Sequence, residues 1–309
     1  MKNQTLPGIA VEASSVVLGL MRIQELDDEQ IRTLVGTARD AGINVFDHAD
    51  IYGSSRHGCE ARFGEAISFG PREREQVVIQ SKVGIRGGWF DFSKEHILGS
   101  VDESLEALKL EYLDILLLHR PDALVEPDEV AEAFDALHAA GKVRQFGVSN
   151  HTPGQVELLR QTLRQPLLVN QVQLSIAHAP LIASGVAANM GGLDQSIDRD
   201  NGILDYSRLH GITLQAWSPF QSGFFDGVFV GDRKRYPELN DLLDEFAAKY
   251  SVTPSGIAVA WITRHPAHIQ VVLGTTTPER VLQSAAGADV TLTREEWYAL
   301  FRAAGYTIP

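Results

Sequence analysis

Short apolar runs alternate with amphipathic stretches along nearly the whole chain. The runs "VVLG" (16–19), "NVFD" (44–47), "VVIQSK" (77–82), "DILLLH" (114–119), "VRQFGVSN" (143–150), "LVNQVQL" (168–174), "TLQAWS" (213–218) and "IQVVLG" (269–274) are rich in β-branched and other apolar residues. Each predicts a buried strand. Helical sequence follows each of them. Asp27 with Gln30 three positions later forms a capping-box pattern, Ile31, Leu34, Val35 and Ala38 share one face, and Gly42 stops the turn. Thr152-Pro153 with Gln155 repeats the device, and Thr277-Pro278 opens the last unit. Further helices are expected near 59–68, along Ile97, Val101, Leu105 and Leu108, and near 127–140 with Val130, Phe134 and Leu137 inward.

Strands that are continuous apolar runs separated by helices imply a parallel sheet covered by helices. Eight such units favour an α/β fold of the closed (β/α)8 TIM-barrel type over a doubly wound sheet, which often carries a glycine-rich dinucleotide turn. No GxGxxG occurs in the sequence. Residues 1–309 are expected to form a single barrel domain, its N-terminal segment a hairpin plugging the floor. Residues 177–201 break the alternation and read either as a lid over one face or as an irregular excursion.

In such a barrel the chemistry sits where strands end. The strand ends here run Asp47, Lys82, His119, Ser149-Asn150, Gln171, Trp217-Ser218 and Gly274-Thr275-Thr276. Polarity at a strand end is ordinary. An Asp, a Lys and a His closing three consecutive strands are costly unless they pair or work. Lys82 can pair with Asp47, and Tyr52 has enough chain after Asp47 to turn its phenol back over the ring. An ammonium beside that phenol is expected to lower its pKa from about 10. His119 can donate to a substrate oxygen. The quartet suits delivery of a proton to a carbonyl oxygen as its carbon receives hydride.

The segments "NVFDHADIYG", "VVIQSKVG", "DILLLHRPD", "GKVRQFGVSN", "NQVQLS" and "AWSPF" resemble the motif series of the aldo-keto reductases, above all their bacterial, general oxidoreductase-type members. The likeness runs in order from about residue 16 to 305. It implies a (β/α)8 barrel that binds NADPH without a dinucleotide-binding fold and reduces aldehydes or ketones to alcohols, with hydride from nicotinamide C4 and a proton from Tyr52. It implies Asp47, Tyr52, Lys82 and His119 as the catalytic tetrad. Ser149, Asn150 and Gln171 match the positions that hold the nicotinamide carboxamide, and Trp217 the ring on which the nicotinamide stacks. Ser218, Phe220, Gln221, Ser222 and Gly223 match the pyrophosphate loop. The segment from Gly274 through Thr275, Thr276, Thr277, Arg280, Gln283 and Ser284 matches the adenosine-phosphate end, where a helix N-terminus favours anions. Thr276 stands where relatives often carry a basic residue, and Gln283-Ser284 replace a common Glu-Asn pair, so NADH remains possible as cofactor. Some relatives of this fold bind NADPH as slow-turnover redox sensors. That is the alternative reading.

Composition narrows the partners. A hydrophobic share of 44% supports a large core. A net charge of −13 without a dense basic run argues against nucleic acid. No apolar stretch approaches the ~20 residues that cross a bilayer, and the first residues lack the apolar block of a signal peptide, so a cytoplasmic location is expected. Nothing in the sequence fixes an oligomeric state. Cys59, the sole cysteine, excludes an intramolecular disulfide and reads as a helix-start residue. Asp47, His48 and Asp50 with His119 resemble metal ligands in type, but Lys82 would compete with a cation, so no metal is expected. His48 and Asp50 read as supporting or loop-fixing groups. His96, His138 and His210 are expected to face solvent, and Trp261 and Trp297 to pack. The partner is a small-molecule carbonyl. Its pocket is expected to include Met21, Arg22, Trp89, Phe90, Arg120, residues of 177–201 and Phe224. Arg22 or Arg120 would favour an acidic substrate, unless Arg120 pairs with Asp122. The short tail after the last helix suggests an open pocket.

Overall fold

The computed structural model describes residues 1–224 and 226–308. Each of the eight apolar runs is a strand: β1 Val16–Gly19, β2 Val45–Asp47, β3 Val78–Val83, β4 Leu113–Leu118, β5 Val143–Ser149, β6 Leu167–Gln173, β7 Thr213–Trp217 and β8 Gln270–Leu273. They pair in parallel in chain order, and β8 returns to β1 to close the barrel. Closure explains the unbroken apolar runs. One face of each strand points into the barrel and the other meets a helix, so neither is left to water.

Helices Asp28–Asp40, Gly58–Ala66, Lys94–Leu108, Pro127–Ala139, Pro153–Arg160, Ile203–His210 and Pro278–Gly287 stand between or after the strands, with Pro237–Tyr250 and Pro254–Thr263 both between β7 and β8. The box at Asp27/Gln30 forms in both directions, and at Thr152 the Gln155 side chain accepts from the Thr152 N–H at 2.9 Å. Thr277 caps by position, without a side-chain bond to the helix. Two cores result. The larger lies between helices and barrel. The smaller fills the barrel interior, where Leu6, Ile9 and Ala13 of the N-terminal segment pack on Val17, Val45, Val78, Ile115 and Val169. The short antiparallel pair Asn3–Gln4 with Ala13–Ser14 holds that plug at the floor.

Three expectations change. Residues 177–201 are not aperiodic throughout: Pro180–Val186 is a helix with Leu181, Ile182 and Ala183 buried. Tyr306 and Thr307 of the tail bond this segment, through Ala179 N–H to the Tyr306 hydroxyl at 2.6 Å and through Gln195 to Thr307. The tail therefore reaches farther over the structure than its length suggested. His96 is buried rather than solvent-facing, because the loop before its helix folds back and brings Arg86 Nη1 to 3.0 Å from its Nδ1. His138 and His210 are exposed. Trp261 and Trp297 stack at 4.7 Å, and each indole N–H donates to the other's backbone carbonyl.

Candidate active site

The parallel register brings Asp47, Lys82 and His119 to the carboxyl ends of adjacent strands, with Asp47 opposite Gln80 and Val83 opposite Leu118. Tyr52 reaches them by a tight excursion after β2. Its N–H donates to the Ala49 carbonyl, and Cys59 N–H closes back on the Tyr52 carbonyl. Gly53 follows at φ +110°, where a Cβ would strike Gln24, so the turn needs glycine. Lys82 Nζ then donates to Asp47 Oδ2 at 2.7 Å, to the His48 carbonyl at 2.7 Å and to the Tyr52 hydroxyl at 3.2 Å. The His119 ring stands edge-on to Tyr52, centroids 5.8 Å apart.

Burial and charge set the protonation states. Burial opposes the Lys82 ammonium, but Asp47 and Tyr52 outweigh it and hold its pKa above the usual 10.5. For Tyr52 the balance falls the other way: burial pushes the phenol above 10, and Lys82 draws it only partway back. The expected net lowering is thus not met, because desolvating a phenolate costs more than one shared ammonium returns. His119 is held well below 6.5 by burial, with Lys82 and Arg120 adding repulsion, so its ring is neutral at pH 7. Its Nδ1 is buried without a partner among the described residues. A proton there would be unsatisfied, which favours the tautomer carrying it on Nε2.

Behind this group lies polar structure that the strand pattern concealed. Asp47 Oδ1 accepts from Gln80 at 2.5 Å and from Gln171 at 3.0 Å. Both amides also donate to Gln215 Oε1, Gln215 donates to Gln270, and Gln270 to the Ser14 carbonyl. A ladder of amides thus runs down the barrel from Asp47. The available signal was a Gln inside each of four apolar runs. Beneath the Tyr52 turn, Glu60 is fully buried, accepting from Ser81 at 2.5 Å and Ser104 at 3.0 Å and meeting His57 Nδ1 at 2.6 Å. Asp50 accepts from Ser100 at 3.0 Å, and burial raises its pKa to about 6. His48 is buried with neither ring nitrogen bonded among the described residues, and burial lowers it to about 4.

Among the described residues no group of three or more His, Cys, Asp or Glu is placed to hold a metal ion, and no helix is long and apolar enough to cross a membrane. A surface hollow of about 430 Å³ lies at the opposite, amino-terminal end of the strands, lined by Gly36, Arg39, Asn44 and Gln76. None of the quartet borders it.

Residues 15–303 match the model of the aldo/keto reductase family. The chain belongs to this family. The oxidoreductase YcsN of Bacillus subtilis is 34% identical, the match covering 97% of each chain, and the oxidoreductase YdhF of Escherichia coli is 34% identical over 96% of each. A 6-dehydroglucose reductase of Agrobacterium fabrum is 32% identical over 94% of each. Among solved structures, an aldo-keto reductase from Klebsiella pneumoniae in complex with NADPH superposes with a TM-score of 0.77 at 24% identity, covering 100% of this chain and 97% of the other.

As an aldo/keto reductase the protein is an NAD(P)H-dependent oxidoreductase, and the remaining rim residues singled out from the sequence are placed as follows. Trp217 closes β7 with its ring half-buried and its indole N–H on Asn150 Oδ1 at 3.0 Å. Asn150 and Ser218 both take left-handed backbone, φ +62° and +52°, where the chain turns at the strand ends. Asn150 also donates to Ser149 Oγ at 2.8 Å. Gln221 Oε1, next in the loop after Phe220, is buried without a partner among the described residues. Ser222 bonds Asp226 and Gly227 across the same loop, which carries Gly223. Gln171 donates its side-chain amide N–H groups to Asp47 and Gln215. Thr275 and Thr276 are half-buried beside the last strand, while Arg280 is exposed. Gln283 is half-buried and donates to Glu279 at 3.0 Å in an exposed contact, and Ser284 is buried.

The pocket residues divide. Arg22 donates to the Gly274 carbonyl at 2.7 Å and bridges the loops after β1 and β8. Met21, Trp89, Phe90 and Phe224 are exposed large apolar side chains. Arg120 does not pair with Asp122, whose carboxylate accepts from the N–H groups of Phe92 and Leu124 instead. His151 is buried against Phe92 and bonds the Ser149 carbonyl.

Proposed function

We propose that the protein, as one barrel domain, reduces aldehydes or ketones to alcohols with NADPH, and that Tyr52 gives the proton to the carbonyl oxygen. The observation that carries this reading is Lys82 Nζ lying 2.7 Å from Asp47 and 3.2 Å from the Tyr52 hydroxyl at the open end of the barrel. When bound, the nicotinamide supplies the hydride equivalent to the carbonyl carbon. As that carbon is reduced its oxygen gains charge and basicity, and the Tyr52 O–H is the acid that meets it. The phenolate left behind is stabilised by the ammonium, which Asp47 anchors. Neutral His119 cannot act as the acid at pH 7. It donates one hydrogen bond from Nε2 and fixes the direction of the carbonyl.

Trp217 offers the flat face for the nicotinamide, with Ser149, Asn150 and the Gln171 side-chain amide oxygen at its carboxamide. Ser218, Phe220, Gln221, Ser222 and Gly223 embrace the pyrophosphate. Gly274, Thr275, Thr276 and Thr277 meet the adenosine phosphate, with Arg280 supplying the charge that favours a 2′-phosphate. Gln283 and Ser284 support that end from behind. Arg280→Ala should weaken NADPH binding about tenfold and leave NADH binding unaltered, as read by fluorescence titration with each.

Tyr52→Phe is the central test. The variant should lose a factor of about 10² to 10⁴ in aldehyde reduction, the usual worth of a positioned acid, at unchanged cofactor Kd. A variant that keeps most of its activity removes Tyr52 from the mechanism. Tight cofactor binding by the wild type with negligible turnover across aldehydes, dicarbonyls, quinones and sugars would instead favour a redox-sensing role.

A further inference from the structure

Arg120 is placed unlike the other arginines. Most have a carboxylate partner, as Arg86 has Asp91 and Arg74 has Asp114. Arg22 and Arg264 donate to backbone carbonyls, and Arg72, Arg208, Arg280, Arg294 and Arg302 are exposed to water. Arg120 is half-buried and, among the described residues, makes neither an ion pair nor a hydrogen bond. Its guanidinium lies against two aromatic rings, 5.6 Å from the centroid of Trp217 and 5.8 Å from that of Phe224. It directly follows His119, and its charge acts on both His119 and Tyr52.

A guanidinium has five N–H donors in a planar fork. Stacking on aromatic faces satisfies none of them. Burial lowers the pKa of Arg120, opposed only by the charge Tyr52 gains if it ionises. The neighbouring charges are already spoken for: Asp47 is bound to Lys82 and two glutamines, and Asp122 to backbone N–H groups. What remains, one residue past His119 and within electrostatic reach of Tyr52, is a planar cation with no carboxylate partner among the described residues and with aromatic rings against it. Such a fork fits a carboxylate or a phosphate, whose paired oxygens take two parallel N–H bonds.

Resting on the reductase reading above, we propose that Arg120 is a specificity-determining residue, and that the preferred substrates are short aldehydes or ketones carrying an anionic group, carboxylate or phosphate, a few atoms from the carbonyl. Arg120 binds the anion while Tyr52 and His119 hold the carbonyl oxygen.

Matched pairs test this: succinic semialdehyde against butanal for a carboxylate, and glyceraldehyde 3-phosphate against glyceraldehyde for a phosphate. In at least one pair the wild type should favour the anion at least tenfold in kcat/KM, and the preferred pair tells the two anions apart. Arg120→Gln should reduce that ratio at least tenfold, mainly by raising KM for the anionic member, and Arg120→Lys should restore part of it. A merely structural role would depress both members of a pair together. Calorimetry with succinate, or inorganic phosphate for the second class, and the cofactor present gives a readout free of turnover: the wild type should bind and Arg120→Gln should not. The proposal is overturned by a wild type indifferent to charge in both pairs, by a ratio unaltered in Arg120→Gln, or by a variant whose main defect is cofactor Kd. Absence of turnover on every carbonyl would sink the reductase reading instead, and anion binding would still decide the role of Arg120.

Discussion

Lys82 is a buried ammonium with a carboxylate at 2.7 Å and a phenol at 3.2 Å, and the two neighbours constrain it differently. Asp47 makes the charge tolerable, and Tyr52 makes it useful. Removing the cation alone leaves Asp47 buried and uncompensated, so Lys82→Met should cost roughly 3–5 kcal/mol by urea unfolding. Lys82→Met with Asp47→Leu should recover much of that stability and none of the turnover. The pH profile belongs to this scale too. Tyr52 titrates above 10 and His119 well below 6.5. The kcat/KM for reduction should therefore stay level through pH 7–9 and fall only in alkali as the phenol ionises. A fall centred near pH 6.5 would contradict a neutral His119.

The elements carry the quartet because polar devices hold them in place. The amide ladder from Asp47 through Gln80, Gln171, Gln215 and Gln270 ties β2, β3, β6, β7 and β8 together inside the barrel. Gln215 is its hub. Gln215→Leu leaves several buried amides short of a partner at about 1–3 kcal/mol each, and it loosens the support of Asp47. Both the urea midpoint and kcat should drop. A helix cap remote from the site gives the contrast. Asp27 accepts from Gln30 N–H at 2.8 Å, so Asp27→Ala should cost about 1 kcal/mol without altering turnover. The helices and strands were legible because apolar periodicity is a local property. The ladder was not, because a glutamine inside an apolar run shows its purpose only when four such strands face one interior.

For the whole molecule, buried ionisable groups set the acid limit. His48 and His151 are buried, and each is lowered to about 4 by desolvation. Between pH 6.5 and 4 the unfolded chain binds protons there that the folded chain refuses, so stability falls as pH falls, by up to about 3 kcal/mol for each histidine. Asp50 acts in the opposite sense. Raised to about 6, it binds a proton in the folded state first, and its charge penalty of about 3 kcal/mol is relieved between pH 6 and 3.8. The two histidines outweigh it. The urea midpoint should decline from pH 6.5 to 4, and His48→Leu should reduce the decline. A midpoint independent of pH over that range would show these rings to be better solvated than their burial implies.

The chain order of the eight strands, the closed barrel and the polar rim, with Asp47, Lys82 and His119 at the ends of consecutive strands, were readable from residue type and spacing, because periodicity and strand ends are written locally. Only the folded structure decided what depends on distant neighbours. It determined that burial outweighs Lys82 at the Tyr52 phenol, that Gln171 supports Asp47, that His96 is covered, and that Arg120 faces aromatic rings instead of Asp122. Desolvation and hydrogen-bond competition are set by what surrounds a group in space, and the surroundings of these residues come from segments tens to hundreds of positions away.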